Sequence, residues 1–141
     1  MTWLDPQTGP LPISGRDALN DPFWDGALAG ELRYPRCSAC GAADFPAAPH
    51  CRFCLEDALA WQVSSGAGTV YSYTVVWRPV TPEFSTPYAP AIIELAEGYF
   101  LMTNLVGLDS DDIRVGMAVS VSFVTLEGGV TLPYFRPVTA A

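Results

Sequence analysis

The chain has 141 residues, half of them hydrophobic and only 16% charged, and seven arginines with no lysine face fifteen acids to give a formal net charge of -8. Such a chain can bury a real core but is too short for two large domains, so it holds one domain, or a small metal-clipped module joined to one. The charge disfavours unaided attraction to a phosphate backbone, and no apolar run reaches the ~20 residues that a bilayer-spanning helix needs.

Residues 1–20 mix Pro6, Pro10, Pro12, Gly9 and Gly15 without hydrophobic periodicity and read as an extended arm. Their opening, MTWLDPQTGPLPISG, has no basic segment followed by a hydrophobic run, so a soluble, cytoplasmic protein is expected. A short helix begins at Asn20-Asp21-Pro22, where Asp21 can cap the first turn and Pro22 has no N–H to waste. Trp24, Leu28 and Leu32 recur at four-residue spacing, while Gly26 and Gly30 weaken the segment. Two readings stand open for that stripe: it covers its own domain, or it packs on another subunit.

Cys37-Ser38-Ala39-Cys40 and Cys51-Arg52-Phe53-Cys54 form two C-x2-C pairs ten residues apart. Each pair sets two thiolates on one side of a tight turn, and two such turns facing each other make a tetrahedral site with no open position. In a reducing compartment this spacing points to metal rather than disulfides. One structural zinc ion held by Cys37, Cys40, Cys51 and Cys54 is the expectation, and iron of the rubredoxin type is the alternative. Gly41 follows the first pair and Leu55 the second, which predicts turns of unlike shape. His50, the only histidine, reads as a solvated neighbour of the site.

Strand patterns follow Trp61. Thr69 to Arg78 alternates Tyr71, Tyr73, Val75 and Trp77 against Val70, Ser72, Thr74 and Val76, predicting a long first strand with one face in the core and the other available to a partner. Pro79, Pro82, Pro87 and Pro90 then mark a loop. Ala91–Leu95 and Tyr99–Val106 flank a tight connection, and Asp109–Arg114 reads as one helical turn capped by Asp109 or Ser110, with Asp111 and Asp112 solvating it. Ala118–Thr125 and Val130–Phe135 complete five strands. The fold class is thus mainly β, and the order suits a small, partly open Greek-key barrel of the oligonucleotide/oligosaccharide-binding (OB) type. The expected organisation is an arm over 1–20, a helix and zinc ribbon over 21–62, and an OB-fold domain over 63–141.

The runs DPFWDGALAGELRYPRCSACG, Phe45-Pro46, CRFC, SGAGTVYSYTVV, AIIELAEG, TNLVG, Gly116-Met117 and LPYFRP resemble the domain-of-unknown-function-35 family, acyl-CoA-associated OB-fold proteins with an N-terminal rubredoxin-like zinc ribbon, over residues 21–137. The resemblance implies an accessory subunit of a thiolase-superfamily enzyme, such as a thiolase, an acyltransferase or a retro-aldolase of steroid side chains, supporting complex assembly and CoA-substrate binding. Two departures stand out: Arg52 replaces the usual proline after the third cysteine, and PAAPH lacks an arginine often found after the Phe-Pro pair. Arg33, Arg36 and Arg52 are candidates to meet the CoA phosphates instead, against the plainer reading that they are solvated surface arginines.

With no lysine, one histidine and cysteines committed to metal, the chain offers few groups for chemistry of its own, so no catalytic residue is expected. Docking on the partner is expected through Trp24, Leu28, Leu32, Phe84 and Tyr88, exposed apolar anchors, with Phe84 and Tyr88 as a barrel plug in the competing reading. A single-stranded nucleic-acid-binding module and a small redox carrier are the alternative functions; fold analogy suggests the first and the net charge opposes it.

Overall fold

The computed structural model describes residues 2–13 and 15–138. The arm is extended but stitched to the barrel. Leu4 is fully buried, its amide donates to the Leu108 carbonyl, and its own carbonyl accepts from Gly107, both at 2.8 Å. A single buried leucine carries no periodicity, which is why the sequence pattern leaves it unseen.

Helix α1 spans Asp21–Leu28 with Pro22 in its first turn. Asp21 is not its cap: Asn20 occupies that position, its side chain donating back to Asp17 at 3.1 Å instead of capping the helix amides, while Asp21 and Asp25 both accept from the Arg16 guanidinium, at 2.8 and 2.7 Å. Gly26 is required by closeness, since a Cβ there would lie 2.7 Å from the Arg33 side chain and 2.8 Å from the Glu31 carbonyl. Gly30, at φ 76°, ends the helix in the left-handed conformation that glycine adopts at least cost. Leu32 therefore lies beyond the helix and is buried, whereas Leu28 is 63% exposed, so the expected stripe is split.

Strands β1 (Arg33–Cys37) and β2 (Leu59–Val63) pair antiparallel as a two-stranded ribbon. Neither has the alternation of a half-buried strand in its sequence; Pro35 and the flanking arginines hide β1. Then β3 (Ala67–Tyr73), β4 (Ala89–Leu95), β5 (Phe100–Leu105), a 3-10 turn at Ser110–Asp112, β6 (Ala118–Thr125) and β7 (Thr131–Pro137) follow in the expected order. They form a closed barrel, β3-β4-β5-β7-β6, rather than a partly open one, because β3 also pairs with β6. Its thinnest seam is β5 to β7, parallel and bridged only at Leu105 and Phe135. Asp109 is the cap of the 3-10 turn, accepting from the Asp111 amide at 3.0 Å.

The first barrel strand is shorter than its sequence suggests. It ends at Tyr73, and the register shifts between Val70 and Ser72, an irregularity that sets Ser72 level with Ile92 and Tyr73 level with the buried Ala91. Beyond it Thr74 and Val76 still reach back, to Pro90 and Tyr88, leaving Trp77 outside the sheet and 58% exposed. Pro90 lies inside β4 rather than in the loop, where its carbonyl accepts from the Thr74 amide. One hydrophobic cluster runs through all parts of the molecule, joining Leu4 of the arm, Phe23 of α1, Tyr34 of β1 and the barrel residues Val70, Ile93, Leu105 and Phe135.

Candidate metal centre and binding cleft

Two turns with the same backbone build the metal centre. In the first, the Gly41 amide donates to the Cys37 carbonyl at 2.8 Å; in the second, the Leu55 amide donates to the Cys51 carbonyl at 2.9 Å. The return bonds also match, Cys37 N–H to Ala42 and Cys51 N–H to Glu56. Leu55 adopts φ 68° against 81° for Gly41, so the two turns are alike and the expected difference is corrected. A branched side chain in that conformation costs energy that the rest of the turn must supply.

The four thiols converge, all sulfurs within 4.8 Å of one another, with Cys37 to Cys54 and Cys40 to Cys51 at 3.6 Å each. A tetrahedral ion with metal–sulfur bonds of about 2.3 Å would set its sulfurs about 3.8 Å apart, so the donor set fits zinc. The amides of Cys54 and Phe53 aimed at the Cys51 sulfur favour its thiolate, lowering its pKa to about 7. The amide of Glu56 lowers Cys54, but burial and the neighbouring thiols override it and push that thiol up to about 12. His50 is exposed and outside the cluster.

The three candidate arginines occupy different settings. Arg36 is spent on structure: its guanidinium donates to the Gly41 carbonyl at 2.7 Å, to the Tyr34 hydroxyl at 3.0 Å and to the Glu97 carbonyl at 3.4 Å, tying the ribbon to the β4–β5 turn. Arg33 pairs with Glu31 at 3.6 Å and lies over α1. Arg52 is exposed, its Nε paired with Asp44 at 2.7 Å and its guanidinium over the Phe53 ring at 4.9 Å.

Asp44 leads directly into Phe45 and Pro46, which wall a cleft of about 480 Å³ between α1 and the divergence of β5 from β7. The strands part there because Pro133 has no N–H to offer a ladder; its carbonyl takes the Thr103 hydroxyl at 2.6 Å instead. Phe23, Trp24, Phe45 and Tyr134 make the walls mostly apolar, and Asn104 lines them with a buried side-chain oxygen that has no hydrogen-bond partner. A smaller cleft of about 290 Å³ continues past Trp24 to Leu28 and Ile13. The sequence gives no sign of either cleft, because they arise from strand divergence.

Of the expected docking residues, the structure therefore puts Trp24 and Leu28 on clefts and withdraws two others. Leu32 is 3% and Tyr88 8% exposed, both held in the molecule's own core, and Phe84 stacks on Tyr88 with ring centroids 5.2 Å apart. The reading of Phe84 and Tyr88 as folded back on the barrel is the one this packing favours.

Two family models match in tandem: the ChsH2 rubredoxin-like zinc ribbon domain over residues 24–60 and the ChsH2 C-terminal OB-fold domain over residues 61–132. The chain is 40% identical over 133 residues to a probable enoyl-CoA hydratase alpha subunit of Thermomonospora curvata, covering 91% of this chain and 41% of that protein. It thus spans about two fifths of that relative's length. It is 34% identical to a DUF35 domain-containing scaffold protein of Methanocaldococcus jannaschii, covering 73% of this chain and 79% of that one. Among solved structures it superposes on a chain of the Ltp2-ChsH2(DUF35) aldolase with a TM-score of 0.81 at 36% identity, covering 89% of this chain and 98% of that one.

Proposed function

Because the chain belongs to the ChsH2/DUF35 family of zinc-ribbon and OB-fold proteins, we propose that it is a non-catalytic subunit of a thiolase-like enzyme acting on CoA thioesters, and that it helps to hold the acyl-CoA. The observation that carries this reading is the apolar cleft between α1 and the β5/β7 opening, with Arg52 held by Asp44 beside its Phe45–Pro46 wall. An apolar acyl or pantetheine portion suits the walls, Asn104 offers an unpartnered acceptor, and the free end of the Arg52 guanidinium offers two donors to a phosphate. Arg52 is then the replacement for the missing family arginine; Arg36 already has its acceptors within the chain.

Cys37, Cys40, Cys51 and Cys54 hold one zinc ion in this reading. With four sulfurs around it the ion has no vacant position for substrate, and it supplies folding energy to the ribbon. The alpha-subunit and scaffold names of relatives and the two-component aldolase support a hetero-oligomer.

The test is reconstitution. Purified protein should carry one zinc per chain and turn over no acyl-CoA alone, and it should raise the activity of a thiolase-like subunit when added to it. Arg52→Ala should weaken CoA binding to the complex by about tenfold, the loss of one charge-assisted phosphate contact. Turnover by the isolated chain, or unchanged CoA affinity in the variant, would remove the respective half of the proposal.

A further inference from the structure

The outward sheet face of β3, β4 and β5 carries large exposed apolar side chains that touch one another. Tyr71, Phe100 and Met102 are 57%, 42% and 73% exposed. They are neighbours: the Tyr71 and Phe100 rings meet edge to face at 5.0 Å, and Met102 stands opposite Ile92, which stands opposite Ser72. The buried partners alternate with them on β5, so this face is outward by the pleat and not by local disorder. Glu94, paired across to Phe100, is the one acidic or basic residue in the three strands, and it is exposed.

We propose that this face is the docking surface for the enzyme subunit of the complex, which meets it with an apolar patch carrying a lysine or arginine opposite Glu94. This rests on the functional reading above and adds the surface to it. Aromatic and methionine side chains at low charge density are the composition of an interface centre, and contiguous apolar area is not left open without use. Charge selects the occupant. A second copy would bring Glu94 and its surroundings against themselves in a chain of net charge -8, and a nucleic-acid strand would bring phosphates to a face with a carboxylate and no cation. A heterologous protein with a cation at that point is compatible with both facts. Met102 also lines the 480 Å³ cleft, so a partner seated here closes over the cleft mouth and brings its own reacting groups to the bound thioester.

The probe is the Ltp2 subunit of the solved Ltp2-ChsH2(DUF35) aldolase, with binding measured by calorimetry against the full chain. The pair Tyr71→Ser/Phe100→Ser should weaken binding by about tenfold or more, Glu94→Arg should weaken it alone and reverse its salt dependence, and Val80→Ser, an exposed apolar residue on the loop between β3 and β4, should not change it. Thermal midpoints close to wild type show that the variants are folded; if the double variant unfolds, Glu94→Arg decides. Wild-type affinity in both face variants overturns the surface while leaving the subunit reading intact. Failure of the wild-type chain to bind overturns both. A wild-type homodimer, or binding of a thymidine 20-mer, that the double variant abolishes assigns the face to another occupant and overturns the proposal.

Discussion

Arg36→Ala separates a structural arginine from a ligand-binding one. The guanidinium makes two short bonds, 2.7 Å to the Gly41 carbonyl and 3.0 Å to the Tyr34 hydroxyl, and longer ones of 3.3 to 3.4 Å to Gln62 and Glu97. It also stands over the Tyr34 ring at 5.4 Å. Hydrogen bonds from a charged donor contribute about 1.5–3 kcal/mol each; with the side chain partly exposed, only the two short ones are counted, each discounted by solvent screening to about 1–1.5 kcal/mol, which gives about 2–3 kcal/mol. For a chain of this size each kcal/mol moves the thermal midpoint by about 3–4 °C, so zinc-loaded Arg36→Ala should melt about 6–12 °C lower. Arg36→Lys should recover less than half of that, because an ammonium cannot reach the turn carbonyl and the tyrosine hydroxyl with one planar fork. Differential scanning calorimetry at fixed zinc reads both. A midpoint within about 2 °C of wild type, coupled with weakened CoA binding, would refute the assignment of Arg36 as a tie between ribbon and barrel.

The split of the helix stripe predicts unequal costs: Leu32→Ala should lose about 2–5 kcal/mol in urea unfolding, and Leu28→Ala no more than about 0.5. Equal losses would mean that Leu28 is covered within the chain. Burial alone would raise the Glu97 carboxyl, but bonds from the Ser64 hydroxyl at 2.6 Å and the Ser65 amide at 2.9 Å hold it below the ordinary carboxylate value. A depressed folded pKa stabilises fully above the unfolded value of about 4.3 and less as pH falls through the folded one. The stability gap between wild type and Glu97→Gln should therefore be constant at neutral pH and shrink below about pH 4; a gap unchanged by acid would show that the carboxylate charge is not what the two serines recognise.

What the sequence made legible was what repeats or pairs within a short window. The C-x2-C pairs, the alternation in β4 to β6 and the Asp109 cap are each contained in a dozen residues or fewer. The failures have a common physical origin in contacts between distant parts of the chain. Leu32 looks like an exposed anchor until the core cluster that includes Tyr34 closes on it, and Tyr88 until Phe84 stacks against it. Tyr71 and Tyr73 share a face in the sequence alternation, yet the register shift sets Tyr73 level with the buried Ala91. Leu55 is the sharper lesson: its identity argued for a different turn, and the turn's hydrogen bonds, shared with the glycine turn, imposed the same backbone. The cleft was invisible because Pro133 shows its effect only against a strand 30 residues earlier.

The arm has a consequence for which parts of this molecule are free to diverge. Gln7 meets Ser85 at two points, donating from Nε2 to its carbonyl and accepting at Oε1 from its amide at 2.8 Å, much as another strand would. The long connection between β3 and β4 is thus clamped near its far end by a residue 78 positions earlier in the chain. With that clamp in place, the intervening tip, Trp77 to Glu83, does not have to encode its own anchorage. Its sequence can drift from relative to relative under selection for whatever it touches, while a change at Gln7 would alter the presentation of the whole tip at once.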